Sequence, residues 1–284
     1  MGENVFLDET ELKRLMTQGR VLSGYEQPIY RKVIAGRSGL TLLDVGCNNG
    51  WKTKERFFNK DFKKIIGIDC LGSLVEQAKG EFEDEVFSFY TCDVTEENFA
   101  ENLRQIMQKE NVRAFDVIHC SFILMHTRKP ENILKRLKEF LAPEGKLIII
   151  EADDTESVMS PDQDGLFRKW VEILSADPYA GKRNMGVEVP RLLSDSGYTD
   201  IKSECTKIGS SGKEKQKKED IFEIFCSYLP EDLALLKEQN SSYEKEWEWV
   251  QKNFDKLRQQ MTDDATAVSV GVRICTCAKR SDGV

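Results

Sequence analysis

The chain has few histidines. Only His119 and His126 occur among 284 residues, and no Cys-x-x-Cys pair exists among its eight cysteines, which argues against a structural zinc site. Positive charge is also in deficit: 41 Lys and Arg stand against 49 Asp and Glu, a net charge of −8. That balance disfavours a bulk electrostatic grip on DNA or RNA, although local basic patches stay open. No apolar run approaches the ~18 residues that a membrane span needs. Met1 to Arg14 is acidic and amphipathic, unlike a secretory signal. Phe6 stands where a myristoylation signal after Gly2 needs Ser or Thr, and Ser281 to Val284 offers no cysteine for prenylation. The expectation is a cytoplasmic protein that engages neither membrane nor nucleic acid.

The cysteines, at 47, 70, 92, 120, 205, 226, 275 and 277, lie mostly inside apolar runs. With 40% hydrophobic residues the chain can bury a sizeable core without disulfide staples, so reduced, packed thiols are expected.

Hydrophobic periodicity sets the organisation. Residues 7–35 read as helical, with Leu7, Leu12, Leu15 and Met16 on one stripe and Pro28 as an interruption. Strands are expected at Leu40 to Val45, Lys64 to Asp69, Val86 to Thr91, Phe115 to Ser121 and Lys146 to Glu151. Helices are expected between them at Trp51 to Asn59, Ser73 to Lys79, Asn98 to Glu110 and Pro130 to Leu141. This alternation implies a doubly wound parallel sheet. Helices at Asp164 to Ala176 and Glu188 to Ser196 follow, then strands at Tyr198 to Thr206 and Ala265 to Lys279. Between those strands lies an insertion, residues 207–264. It opens with a Gly/Ser/Lys-rich stretch, Gly209 to Lys218, which reads as a mobile loop. It continues as amphipathic helix, including Ile221 to Leu229 and Glu231 to Met261.

The first strand runs into Asp44-Val45-Gly46-Cys47-Asn48-Asn49-Gly50. A glycine turn there lets backbone approach a ligand at the carboxyl edge of the sheet. The dinucleotide fingerprint needs glycine at 46, 48 and 51 and finds Gly46, Asn48 and Trp51; a Walker loop lacks its GK[ST]. What remains is D-x-G-x-x-x-G, with Asn48 at a position where asparagine tolerates a left-handed backbone. Asp69 ends the second strand nineteen residues after Gly50, the spacing at which an acid grips both hydroxyls of a ribose. Asp93 follows the third strand. Three acids near the ends of three consecutive strands point to a nucleoside ligand that needs no phosphate cradle. Cys47, Cys70 and Cys92 fall beside them, and packing is their expected role.

These stretches (LLDVGCNNG, IIGID, CDV, FDVIHCSFILMH, FLAPEGKLIIIEAD and VEVPRLLSDSGYTDI) resemble the class I S-adenosylmethionine-dependent methyltransferases, in the broad group that includes ubiquinone-biosynthesis-like enzymes. The resemblance covers residues ~39–201. Asn48 and Glu144 depart from it, each standing where glycine is usual. It implies a Rossmann-like, mostly parallel seven-stranded α/β sheet with an antiparallel last strand and a helical cap, S-adenosyl-L-methionine as cofactor and S-adenosyl-L-homocysteine as product. By that resemblance Gly46, Asn48 and Gly50 line the methionine and ribose, Asp44 holds the loop and faces the methionine amine, and Asp69 binds the ribose. Asp93 and Val94 meet the adenine, and Ser121 lies by the methionyl part; Cys70 joins these cofactor contacts through its place beside Asp69. Arg14, Gln18 and Tyr25 belong to an N-terminal segment, residues 1–35, that folds over the cofactor in similar enzymes. Arg14 either pairs with the methionine carboxylate or sits on a solvated face.

The expected reaction is in-line transfer of a methyl group to a small-molecule acceptor, with no metal. The alternatives are an RNA or protein methyltransferase, or a silent cofactor-binding protein. Alignment and exclusion of water carry most of such a reaction, so no catalytic triad is needed. His126, after the fourth strand, is the one histidine placed to act as a base; the other reading has it orienting its loop. His119, inside an apolar strand, reads as a satisfied core residue. Trp170, Tyr179, Phe222 and Phe225 are expected to line an acceptor pocket in a cap built from the N-terminal segment, the stretch after the fifth strand and the insertion. The other reading has the aromatics gluing the insertion to the core. The sequence leaves the acceptor and the oligomeric state open.

Overall fold

The computed structural model describes residues 9–58 and 61–279, apart from the side chains of residues 9 and 10. The readings that rest on Met1 to Leu7, Asn59 and Ser281 to Val284 lie outside the described residues. In chain order the elements are α1 (Glu9–Ile34), β1 (Leu40–Val45), α2 (Trp51–Phe57), β2 (Phe62–Asp69), α3 (Gly72–Phe82), β3 (Phe87–Thr91), α4 (Phe99–Lys109), β4 (Phe115–Ser121), α5 (Pro130–Phe140), β5 (Leu141–Ala152), β6 (Val158–Ser160), α6 (Leu166–Ala176), α7 (Met185–Asp195), β7 (Tyr198–Ser210), α8 (Lys215–Phe225), α9 (Leu229–Gln239), α10 (Glu244–Thr262) and β8 (Ala267–Lys279).

Eight strands form one hydrogen-bonded sheet in the order β3-β2-β1-β4-β5-β8-β6, with β7 pairing β8. The pairs among β1 to β5 are all parallel, and β6 runs antiparallel to β8. The architecture is therefore a Rossmann-like α/β fold with a mostly parallel sheet and antiparallel C-terminal strands. The near-continuous apolar runs explain the parallel part. Every residue of β1 is buried, as suits a strand covered on both faces.

Two compact units make up the described chain. The sheet unit holds residues 23–151, 186–204 and the end of β8 from Arg273. The helical unit holds α1 up to Leu22, residues 152–185 and residues 205–272. The sheet unit's core buries Leu42, Leu43, Ile66, Ile68, Ile118 and Ile149 together with the rings of Phe89, Phe99 and Phe115. In the helical unit aromatic rings join the helices. Phe167 on α6 stacks on Phe225 of α8 at 5.8 Å, Trp170 meets Trp249 and Phe254 of α10 at 6.2 and 6.1 Å, and Phe222 meets Phe254 at 5.1 Å.

Several boundaries differ from those the sequence suggests. Pro28 does not interrupt α1: Gly24, four residues earlier and exposed, leaves its unpaired carbonyl to water. β5 starts at Leu141 because Phe115 pairs with Leu141 and Val117 with Lys146, so residues 142–145 bulge out of register. β6 has too few residues to leave a periodic signal. The long helix expected over Glu231 to Met261 is two helices, broken where the Asn240 side chain accepts the Ser242 N–H at 3.0 Å. The Lys-rich stretch is also more ordered than a loop. From Lys215 it is α8, and Lys218 is fully buried, its Nζ donating to the carbonyls of Gly212 at 2.7 Å and Asp263 at 2.5 Å. No helix among the described residues is long and apolar enough to cross a membrane.

Candidate functional site

The turn after β1 is a left-handed backbone built onto the end of β2. Gly46, Asn48 and Gly50 have φ of 77°, 51° and 79°. The N–H groups of Gly46 and Cys47 donate to the Ile68 carbonyl at 2.8 and 3.0 Å. Glycine is needed at 46 for space as well as for φ, since a Cβ there would lie 2.1 Å from Ile123 Cδ1. At Gly50 a Cβ would press on Ala78 Cβ at 2.9 Å. Asn48 keeps its left-handed turn with its own side chain, whose Oδ1 accepts the Asn49 N–H at 2.7 Å.

Asp69 stands at the tip of β2, half-buried. Its Oδ2 accepts the Asn48 N–H at 2.9 Å and its Oδ1 accepts the Leu71 N–H at 3.0 Å. Burial raises its pKa, hydrogen bonds from the backbone of Leu71 and Asn48 and from the thiol and backbone of Cys70 pull it back, and the net shift is upward. Cys70, next to it, is exposed, and burial together with the Asp69 charge pushes its thiol up to about 11, so it is not a ready thiolate. Asp93 after β3 is half-buried and closes its own turn, accepting from the Thr95 N–H and hydroxyl, both at 2.7 Å. Val94 is buried, and its carbonyl accepts from Arg136 at 3.2 Å.

Asp44 is committed inward. Its Oδ2 accepts the Thr53 hydroxyl at 2.5 Å, and its Oδ1 lies 2.7 Å from His119 Nδ1. The register explains the second contact, because Asp44 and His119 are cross-strand neighbours in β1 and β4. His119 is thus a satisfied core residue, as its apolar strand suggests. Arg56 on α2 donates to Ser121 Oγ at 3.3 Å and doubly to Glu26 on α1. Tyr25 lies half-buried in the same stretch of α1.

After β4 the chain turns at Phe122, whose φ of 56° is costly for a bulky residue. Glu151, fully buried at the end of β5, holds this turn. Its carboxylate accepts the N–H groups of Ile123, Leu124 and Met125 at 3.0, 2.7 and 3.3 Å. His126 ends this single 3-10 turn, half-buried. Sequence reasoning passed over Glu151, Glu26, Tyr30, Thr53 and Arg56. The i, i+4 spacing of Glu26 and Tyr30, and an acid closing the apolar run of β5, were the available signals.

The remaining candidates belong to the helical unit. Arg14 forms a fork with Glu11 at 2.6 and 2.7 Å, donates to the Ile224 carbonyl at 3.3 Å and stacks over Tyr228 at 4.9 Å; Gln18 lies half-buried one turn on. Trp170, Phe222 and Phe225 are buried in the aromatic contacts between helices. Tyr179 is half-exposed, and its hydroxyl accepts from Gln239 at 3.0 Å. The structure therefore brings Asp44, Gly46, Asn48, Gly50 and Asp69 together around one turn, with Ser121 joined to the same polar cluster through Arg56. Trp170, Phe222 and Phe225 form a separate group inside the helical unit.

Known proteins resemble this chain in sequence and in fold. A family described as a methyltransferase domain matches residues 37–253. A tRNA U34 carboxymethyltransferase of Citrifermentans bemidjiense is 26% identical over 210 residues, covering 69% of this chain and 56% of that protein. A ubiquinone biosynthesis O-methyltransferase of Coxiella burnetii is 30% identical over 110 residues, covering 38% of this chain and 42% of that protein. The chain thus spans about half the length of these curated relatives. Among solved structures, a putative methyltransferase from Bacillus halodurans superposes with a TM-score of 0.55 at 14% identity, covering 90% of this chain and 99% of that one. Phosphoethanolamine N-methyltransferase 2 of Haemonchus contortus, solved with S-adenosyl-L-methionine, gives 0.53 at 15% identity, covering 98% and 60%. At such identities the likeness is one of fold.

Proposed function

Because the chain belongs to this methyltransferase-domain family, we propose that it transfers a methyl group from S-adenosyl-L-methionine to a small-molecule acceptor. The observation that carries the reading is Asp69. It is an acid at the tip of β2, half-buried beside the left-handed turn and oriented by backbone N–H groups on both oxygens, which suits a vicinal pair of ribose hydroxyls. The left-handed turn at Gly46, Asn48 and Gly50 fits close approach by the rest of the cofactor, and Asp93 with Val94 suits the adenine edge. When bound, the cofactor supplies a methyl group on a sulfonium, already activated for displacement.

The chain's own residues then have modest tasks. Asp69 fixes the ribose, and the turn fixes the methionyl end. Ser121 and the Glu151-held turn after β4 shape the neighbouring wall. Positioning and exclusion of water supply most of the acceleration in such a reaction. His126 is the available base for acceptors that must lose a proton, although orienting its loop suffices for acceptors that are already nucleophilic. Trp170, Phe222 and Phe225 are spent in ring contacts between helices of their own unit, which suits the gluing reading rather than an acceptor pocket.

The net charge of −8 favours a small acceptor over RNA. The match to a tRNA-modifying enzyme over 69% of the chain keeps RNA as the second reading. Calorimetry with S-adenosylhomocysteine, followed by its release from S-adenosylmethionine with small phenols, amines, thiols, carboxylates and bulk tRNA, tests both. Turnover with a small acceptor is the expected result. Turnover with tRNA alone would replace it by the second reading, and no binding of S-adenosylhomocysteine would overturn the cofactor assignment.

A further inference from the structure

His119 is fully buried in β4, between a carboxylate on one side and a phenol on the other. Its Nδ1 lies 2.7 Å from Asp44 Oδ1, and its Nε2 lies 3.0 Å from the Tyr30 hydroxyl. That hydroxyl is also 3.0 Å from Glu26 Oε2. Glu26 in turn accepts from Arg56 Nε at 2.9 Å and from Nη2 at 3.1 Å. The rings of Phe57 and Tyr30 stand edge-on to the imidazole at 5.4 and 5.6 Å. All of these groups belong to the sheet unit, and they come from four elements: Asp44 from β1, Glu26 and Tyr30 from α1, Arg56 and Phe57 from α2, and His119 from β4.

Counting hydrogens fixes the state of the ring. An ionised carboxylate only accepts. The Arg56 guanidinium donates to both Glu26 oxygens, and Asp44 accepts the Thr53 hydroxyl on the oxygen that does not face the ring, so both are held as carboxylates. The hydrogen between His119 and Asp44 therefore comes from Nδ1. The hydrogen between Tyr30 and Glu26 comes from the phenol, which has no second one to give. The hydrogen between Tyr30 and His119 must then come from Nε2, so both ring nitrogens carry hydrogen. The charges now close: two carboxylates, one guanidinium and one imidazolium sum to zero, as a dry cluster requires. A neutral imidazole would leave one close contact without its hydrogen, either Tyr30 to Glu26 at 3.0 Å or His119 to Asp44 at 2.7 Å depending on the tautomer, and one buried negative charge uncompensated.

We propose that His119 is a positioning residue: as a buried imidazolium it ties Asp44, at the root of the 46–50 turn, to Tyr30 and Glu26, and by fixing that turn it sets the affinity for the adenosyl cofactor. The affinity part rests on the cofactor reading above; the protonation part rests on geometry alone.

The experiment uses the full chain labelled with 15N at histidine. Two histidines give two ring spin systems, assigned by their loss in His119→Gln and His126→Gln. At neutral pH His119 should show hydrogen on both nitrogens, protected from solvent exchange. Tyr30→Phe keeps the buried ring and removes the acceptor, so the protected Nε2–H signal should vanish. Affinity for S-adenosylhomocysteine should fall by about three- to tenfold in Tyr30→Phe and by about tenfold or more in His119→Gln. If His119→Gln does not fold, the wild type and Tyr30→Phe decide. A His119 with one bare nitrogen at neutral pH, in protein that binds S-adenosylhomocysteine, overturns this inference alone. So does a folded Tyr30→Phe that binds as the wild type does. Wild-type protein that binds no S-adenosylhomocysteine overturns the cofactor reading and the affinity part with it, while the nitrogen signals still decide the protonation.

Discussion

In the sheet unit the buried charges alternate: Asp44, His119, Tyr30, Glu26 and Arg56 form a chain in which each carboxylate faces a cation or a donor. In the helical unit two buried carboxyls face one another, Asp177 and Asp232. The contrast separates two ways of keeping acids out of water. Alternation lets each group stay ionised with its partner. Opposed carboxyls cannot both ionise, so the pair holds a proton instead. Burial first, and then the Asp177 charge, pushes Asp232 up to about 9, and its hydrogen bridges to Asp177. Other charges of the helical unit are met singly, among them Arg14 by Glu11, Arg183 by Asp154 and Lys218 by two backbone carbonyls.

The largest break in this contrast should come from Arg56. Arg56→Met leaves Glu26, 1% exposed, without its guanidinium. Stranding one partner of a buried pair costs about 3–5 kcal/mol. Denaturant unfolding should show a loss of that size, and a loss below about 1 kcal/mol would mean that the alternating chain is not a unit. Arg14→Met sharpens the contrast. Its pair with Glu11 keeps 15% and 12% exposure, so water can take over part of the solvation and the loss should be smaller, about 1–2 kcal/mol.

Next in size is the difference between a spent acid and an open one. Asp44 is buried with both oxygens committed inside the protein, whereas Asp69 stands half-buried at the tip of its strand. Asp69→Asn preserves the size but sets an NH2 against one of the two backbone N–H groups, so the turn weakens along with the ribose contact. Affinity for S-adenosylhomocysteine should fall about ten- to a hundredfold, roughly 1.4–2.8 kcal/mol, with a stability loss of about 1–3 kcal/mol beside it. Unchanged affinity by calorimetry would remove Asp69 from the ribose.

Much of this contrast could be read from the chain, though unevenly. The parallel strands were legible because each is an apolar run, with β1 closed by Gly46 and β2 by Asp69, and β4 agrees with its sequence bounds at Phe115 and Ser121. Asp69 and the turn at 46–50 were legible because strand ends and left-handed turns have local signatures. The network behind Asp44 was not, because Tyr30, Glu26 and Arg56 join it through His119 and come from two helices, a relation made by tertiary packing. Glu151 was invisible as a clamp for the same reason: its three N–H partners lie 26 to 28 residues earlier. Lys218 misled, since a lysine in a Lys-rich stretch looks solvated until two backbone carbonyls enclose it. The helical unit was the least legible, because amphipathic spacing fixes that a helix exists but not where Asn240 stops it.

The smallest expected effect is the most specific to opposed carboxyls, and it concerns pH. The folded value of Asp232 lies above its unfolded one, so the native chain keeps a proton that the unfolded chain releases. Unfolding then releases a proton, and raising the pH favours it. The pair's contribution is fully present below the ordinary carboxylate value of about 4, and it is lost progressively as pH rises toward about 9. Asp232→Asn keeps a donor for Asp177 and binds no proton in either state. The variant and the wild type should therefore converge in stability near pH 4, apart from any fixed offset, and diverge above it with the variant gaining. At pH 8 the gain should reach at least about 1 kcal/mol. The measurement is denaturant unfolding of both proteins across that range, read as a difference so that other titrating groups cancel. A difference that stays flat from acid to alkaline pH would show that Asp177 and Asp232 hold no extra proton, and the two clusters would then follow one rule.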